Sequence, residues 1–260
     1  MSKYVIGASS DIGVEREIQE DYVSFNELDD ENVIAVVADG SASRSSIPQP
    51  AAIVTVEIID YITDLFKTHP DFLFDDPRYF LKAAFLHANR VLGAFKMGND
   101  EIYGNFSASV TACLFLDNGF IYFAHSGNTR FCVIRNNMMI QATDDHTVAN
   151  DLLNRKEITE EEYYTHYARL QLTSGLGMLS DNAIEIQTGR IKGSEGDVYL
   201  MTTDGVHYAI RPEYIQDIVL DSDSATSASE SLISAARDII KYPDNMSALV
   251  AYAPIQESEQ

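Results

Sequence analysis

The residues of this chain that could do chemistry are carboxylates placed at the ends of apolar runs. Glu20-Asp21 opens one such run, with Arg16 four residues before Glu20. Asp39-Gly40 follows Val33 to Ala38, Asp204-Gly205 follows Val198 to Thr203, and Asp244-Asn245 precedes the last apolar run. A hydrophobic strand that ends in Asp-Gly sets a carboxylate at the rim of a sheet, where glycine lets a ligand or metal approach the backbone. Taken singly, each pair reads as a turn. Brought together, four acidic sites repel one another at low effective dielectric and require a cationic partner. Donors that are all oxygen favour a hard ion, Mg²⁺ or Mn²⁺.

The elements that must position these groups are short strands and a few helices. Strands are expected at Tyr4 to Ser9, Tyr22 to Phe25, Val33 to Ala38, Val110 to Leu116, Phe120 to Ala124, Arg130 to Arg135, Met138 to Gln141, Ile184 to Gln187, Asp197 to Thr203 and Ser247 to Ala253. Asp117-Asn118-Gly119 and Asn136-Asn137 are hairpin turns by composition. Consecutive hairpins imply antiparallel pairing. Helices are expected at Ala51 to Lys67, Pro77 to Lys96, Pro212 to Val219 and Ser224 to Lys241, the second with Leu81, Ala84, Phe85, Ala88, Val91, Leu92 and Phe95 on one stripe. A shorter helix is expected after Thr159, which has capping-box spacing to Glu162. The stretch 143–182 is otherwise long and polar, an insertion of the kind that forms a functional flap. Hairpin sheets with one-sided helices predict an α+β fold, a layered sandwich, as one domain over 1–255 with a frayed tail at 256–260.

Composition excludes several classes. With 18 Lys+Arg against 40 Asp+Glu the net charge is −22, which disfavours nucleic-acid backbones and basic attachment to a membrane surface. No apolar stretch approaches the roughly 18–20 residues of a membrane span, and the start MSKYVIGASSDIG lacks a signal-peptide apolar core. Cys113 and Cys132 sit in apolar runs and read as small core residues of a reducing compartment. The chain is expected to be cytoplasmic.

The ordered set Arg16, Glu20-Asp21, Asp39-Gly40, Gly127-Asn128-Thr129-Arg130, Asp145-His146, Asp204-Gly205 and Asp244-Asn245 resembles the metal-dependent protein phosphatase family (protein phosphatase 2C type). Glu157 to Glu162, followed by His166 and Arg169, is similar to the flap of its bacterial branch. The resemblance runs from about Val5 to Ala253. It implies a four-layer αββα sandwich of two mainly antiparallel sheets and two divalent ions, Mn²⁺ or Mg²⁺. Asp39 would bridge the ions, Asp204 and Asp244 would complete one, and Glu20 with the Gly40 carbonyl the other. It further implies that Asp21 holds water from behind, that Arg16 grips the phosphate, and that a bridging hydroxide attacks phosphorus in line. The implied substrate is a phosphoserine or phosphothreonine protein, the product of a Ser/Thr kinase.

Departures from the family pattern bear on activity. The loop after Gly40 reads Ser41-Ala42-Ser43, without a histidine, and Ala108-Ser109-Val110 stands where the family has a Thr pair. Asn128 and Tyr208 replace acidic residues that serve a third, weaker ion in the family. Asn128 offers a carbonyl without charge and Tyr208 is a poor ligand at neutral pH, so a lost or weakened third site, with reduced activity, is expected. A catalytically silent binding module is the alternative; it would be expected to lose Asp39 or Asp204. A metal-dependent nuclease conflicts with the charge. His166 and His207 are candidates for protonating a leaving group, and Tyr163, Tyr164 and Tyr167 read as packing residues of the flap.

Overall fold

The computed structural model describes residues 4–42, 48–73, 75–97, 105–239 and 244–253. In chain order the elements are β1 (Val5–Asp11), β2 (Asp21–Glu27), β3 (Val33–Ser41), α1 (Pro50–Thr68), α2 (Pro77–Lys96), β4 (Ser107–Phe115), β5 (Phe120–Ser126), β6 (Arg130–Arg135), β7 (Met138–Gln141), α3 (Val148–Asn154), α4 (Glu160–Tyr163), β8 (Gln187–Lys192), β9 (Val198–Thr202), α5 (Asp204–His207), α6 (Pro212–Leu220), α7 (Ala225–Arg237) and β10 (Met246–Tyr252). Two five-stranded sheets result, ordered β1-β10-β9-β6-β7 and β2-β3-β4-β5-β8. Every ladder is antiparallel.

Period-2 alternation explains why the central strands are apolar at nearly every position. On β3, Val33, Ala35 and Val37 face the opposite sheet, where they meet Phe131, Tyr199, Met201 and Leu249. The alternate residues Ile34, Val36 and Ala38 face α1 and α2, meeting Ile58, Leu81 and Phe85. On β10, Ala248 and Val250 likewise turn outward to Leu232 and Ala236 of α7. Helices therefore cover the outer face of each sheet, and the order of layers is αββα. Both cysteines are buried in this core as free thiols.

Local chemistry sets the boundaries. Asn136 and Asn137 both take positive φ, 51° and 56°, as a two-residue primed hairpin turn requires. Pro50, Pro77 and Pro212 each occupy a first helical turn, where proline's missing N–H costs nothing. Thr159 and Glu162 form the expected capping box. Ser224 is the N-cap of α7, accepting from the Ser227 amide. That helix ends at Arg237, short of the expected Lys241, because its buried stripe ends at Ala236 and the Ile239 amide closes a tight turn onto Ala236. Residues 240–243 and the tail 256–260 lie outside the described residues.

Two expectations need correction. The strand expected at Ile184 to Gln187 lies instead at Gln187–Lys192. Ile184 and Ile186 pack against the helix-side core, while the ladder to β5 runs from Gln187 to Lys192. Only Ile191 is a large apolar residue in that edge strand, so hydrophobic pattern could not reveal it. The flap also contains a second helix, α3, entered through a Thr147 side chain that accepts from the Asn150 amide.

Candidate metal centre

Antiparallel pairing gathers the acidic residues. In the sheet containing β2 and β3, the start of β2 lies beside the end of β3, so Asp21 pairs with Asp39 and Asp39 with Ser109 of β4. In the other sheet β9 runs out at Thr202 where its partner β10 begins. That puts Asp204, just after β9, at the same rim as Asp244, just before β10. The two rims meet across the sandwich. Arg16, Glu20, Asp39, Gly40, Asp204 and Asp244 all line one cavity of about 580 Å³, together with Ser109, Asn128 and Asn245. Asp21 is buried directly behind, where the Thr203 hydroxyl donates to it at 2.7 Å. The seven residues singled out from the sequence are thus in one place.

Both Asp-Gly glycines are there for space. A Cβ on Gly40 would stand 2.7 Å from the Glu20 carbonyl oxygen, which accepts the Gly40 amide at 3.0 Å. One on Gly205 would stand 2.0 Å from the Asn245 carbonyl oxygen. Because that neighbour is backbone, Gly205→Ala must displace Asp204 or Asp244. It is expected to cost about 1–3 kcal/mol in urea denaturation, the usual range for overpacking.

Burial and mutual repulsion push these carboxyls up. Asp21 is raised to about 8, by burial first and then by Asp204 and Asp244 against the Thr203 hydrogen bond. Asp204 reaches about 6, by burial and then by Asp244. Asp39 stands well above the ordinary range, by burial and then by Asp204, Asp21, Asp244 and Glu20. Glu20 is raised chiefly by burial. This is the signature of negative charge compressed into a site that needs cations.

Positive charge comes to the cavity from Lys96 and from Arg16. Its guanidinium is 2.7 Å from Asp244 Oδ1 and 3.6 Å from Glu20 Oε2. The Asn128 amide donates to Asp204 Oδ2 at 3.0 Å. With the carboxylates turned to these partners, no group of three or more His, Cys, Asp or Glu among the described residues is set to hold a metal ion as it stands. The chemistry of the donor set nevertheless fits hard cations: Glu20, Asp39, Asp204 and Asp244 line one polar cavity.

Asn245, which its sequence context disguises as part of a turn, ties the cavity wall together. Its side-chain oxygen accepts the Glu20 amide at 2.8 Å, and its amide donates to the carbonyls of Ile12 and Ile18 at 2.8 and 3.1 Å. It thereby fastens the loop carrying Arg16 and Glu20 to Asp244. Ser109 does the same for the opposite wall, accepting the Asn128 and Thr129 amides at 2.8 and 2.7 Å.

A buried ion pair anchors the flap. Arg130 on β6 donates to Asp145 through Nε at 2.9 Å and through its terminal nitrogen at 2.6 Å. Tyr163 of α4 donates to Asp145 at 2.7 Å, and Tyr208 donates to the Arg169 carbonyl at 3.2 Å with the Arg169 guanidinium 4.0 Å over its ring. Tyr208 does not line the cavity, so the position expected to be a poor ligand is occupied by a packing residue instead. Among the flap tyrosines, Tyr163 is buried whereas Tyr164 and Tyr167 are exposed. The leaving-group candidates do not reach the site. His207 is buried against the Thr202 hydroxyl, and His166 caps a 3-10 turn by accepting the Ala168 amide.

No family model matches this chain. The protein phosphatase PhpP of Streptococcus pneumoniae is 29% identical over 143 residues, 55% of this chain and 57% of PhpP, so the match spans a little over half of that relative. The serine/threonine phosphatase stp of Listeria innocua is 22% identical over 242 residues, 93% and 92% of the two chains. Among solved structures, the catalytic domain of the serine threonine protein phosphatase PstP in complex with two manganese ions superposes with a TM-score of 0.78 at 23% identity, over 96% of this chain and 97% of that one. In sequence and in fold together, this chain is similar to the bacterial metal-dependent protein phosphatases of the protein phosphatase 2C type.

Proposed function

We propose that this chain is a protein phosphatase that hydrolyses phosphoserine and phosphothreonine esters with two bound Mn²⁺ or Mg²⁺ ions. The observation that carries this reading is the convergence of Glu20, Asp39, Asp204 and Asp244, from four separate strand ends, on one cavity that also holds Arg16. Those four carboxylates and the Gly40 carbonyl would hold the ions, and four negative charges balance two dications before a phosphate arrives. When bound, such a pair of ions supplies Lewis acidity and a nucleophile at neutral pH. Arg16, at the mouth, binds the phosphate, since its planar fork matches two phosphate oxygens. Asp21, locked by Thr203 and in register with Asp39, orders the floor from behind the ligands. Asn128 and Tyr208 bring no charge, so the reading is of a two-ion enzyme.

PhpP and stp carry the name phosphatase, and PstP is described with manganese; those relationships support the choice of reaction and ion. The physiological substrates in this reading are phosphoproteins made by a Ser/Thr kinase. The test is hydrolysis of para-nitrophenyl phosphate. Turnover is expected with Mn²⁺, none in EDTA, and recovery when Mn²⁺ is restored. Absence of turnover with both Mn²⁺ and Mg²⁺ would refute the proposal.

A further inference from the structure

The cavity has a second half that the acidic centre does not use. At about 580 Å³ it is of the size that takes a ligand of several groups, well beyond a phosphoryl group. Three apolar residues of the flap, Leu170, Leu172 and Met178, line it, beside Lys96, Asn105 and Ser107. Leu170 and Met178 are 66% and 38% exposed, although the flap has its own small core in which Val148, Leu153 and Ile158 cover Ala149, Tyr163 and Ala168. The wall is built rather than loose. Leu176 exchanges both backbone hydrogen bonds with Ala108 of β4, at 2.8 and 2.9 Å. Gly177, with φ +80° and no room for a Cβ beside the Phe106 carbonyl, donates to Asn89 of α2 at 2.8 Å. The Val148 amide reaches Gln171 at 2.9 Å, and the Thr173 amide reaches His146 at 2.8 Å. Apolar side chains held on fixed backbone beside a reactive centre are preorganised for a partner side chain.

We propose that Leu170, Leu172 and Met178 form a subsite for an aliphatic or aromatic side chain flanking the phosphorylated residue of a peptide substrate. The proposal rests on the phosphatase reading, and continuity with the acidic half of the cavity identifies the occupant. A substrate whose phosphate sits at Arg16 shares one cavity with these three side chains.

The test uses the full chain with Mn²⁺ and fluorescein-labelled peptides carrying a non-hydrolysable phosphonate analogue of phosphoserine, flanked by Leu or by Glu. Fluorescence anisotropy is expected to show about tenfold tighter binding of the Leu-flanked peptide, from burial of one aliphatic side chain. In the doubly substituted chain, Leu170→Ser with Met178→Ser, the preference is expected to fall to about twofold or less. Equal affinities in the parent, or a preference unchanged in the double variant, overturns the subsite. So does a double variant that alters only the oligomeric state in sedimentation, since the wall would then serve a second copy. Para-nitrophenyl phosphate hydrolysis separates the two claims. Turnover without flank preference removes the subsite and keeps the phosphatase. Preference without turnover keeps the subsite and removes the phosphatase.

Discussion

Asp39→Asn is expected to abolish metal-dependent hydrolysis while leaving the fold intact or firmer. Asp39 is in register with Asp21 and is repelled by Asp204, Asp21, Asp244 and Glu20. Two bound dications would convert that repulsion into attraction, and ions of this kind contribute several kcal/mol of charge stabilisation to the reaction. Losing about 4 kcal/mol corresponds to roughly 10³-fold in rate, so a fall of that size or larger in kcat/KM for para-nitrophenyl phosphate is expected. Without ions the same change takes an ionisable group out of a cluster whose members repel one another. The urea midpoint of the EDTA-treated variant is therefore expected to equal or exceed that of the parent, the stability–function opposition typical of active sites. A variant as active as the parent would remove Asp39 from the centre. A variant that unfolds would make its role structural.

The second large effect lies under the flap. Burial pulls the Asp145 carboxyl up, but Arg130, and the hydroxyl of Tyr163, more than reverse this and hold it well below the ordinary range. Removing one member of a buried, hydrogen-bonded ion pair costs about 3–5 kcal/mol, because the other charge is left uncompensated. Asp145→Asn is accordingly expected to lose about that much stability at pH 7. Replacing both partners with apolar residues, Arg130→Met with Asp145→Leu, is expected to recover much of it. The pH dependence has a definite sign. A carboxyl depressed in the folded state contributes stability above its unfolded pKa of about 3.9, and that contribution disappears as pH falls toward the folded value. The gap between parent and Asp145→Asn should therefore narrow below about pH 4 in urea denaturation. A gap that stays constant down to pH 2, or one under about 1 kcal/mol at pH 7, would show that the pair is not what anchors the flap.

What could be read from the sequence follows from how far each signal reaches. Asp-Gly after an apolar strand is local; two such ends, with acidic pairs at the starts of two other strands, announce a rim because antiparallel neighbours start and finish together. Hairpin turns such as Asn136-Asn137 declare the pairing that makes this so. Helices with an apolar stripe and a proline in the first turn were placed within a residue or two at their starts. The edge strand β8 escaped because a strand hydrogen-bonded on one side needs few apolar residues; Gly189 is there for the Phe123 ring, which a Cβ would meet at 2.4 Å. Asn245 escaped because its partners, Ile12, Ile18 and Glu20, are more than 200 residues away in the chain. The Arg130–Asp145 pair stood in the motif, but only the fold shows that it joins β6 to the flap. No described helix is long and apolar enough to cross a membrane, in keeping with the hydropathy of the sequence.

The most direct measurement is diffraction from crystals soaked in Mn²⁺, with data collected at the manganese absorption edge. The account predicts two anomalous peaks inside the cavity, between Asp39 and its neighbours Glu20, Asp204 and Asp244, with Arg16 released from Asp244. An anomalous map without peaks among those four carboxylates, in crystals of protein that still turns over phosphate esters, would contradict it.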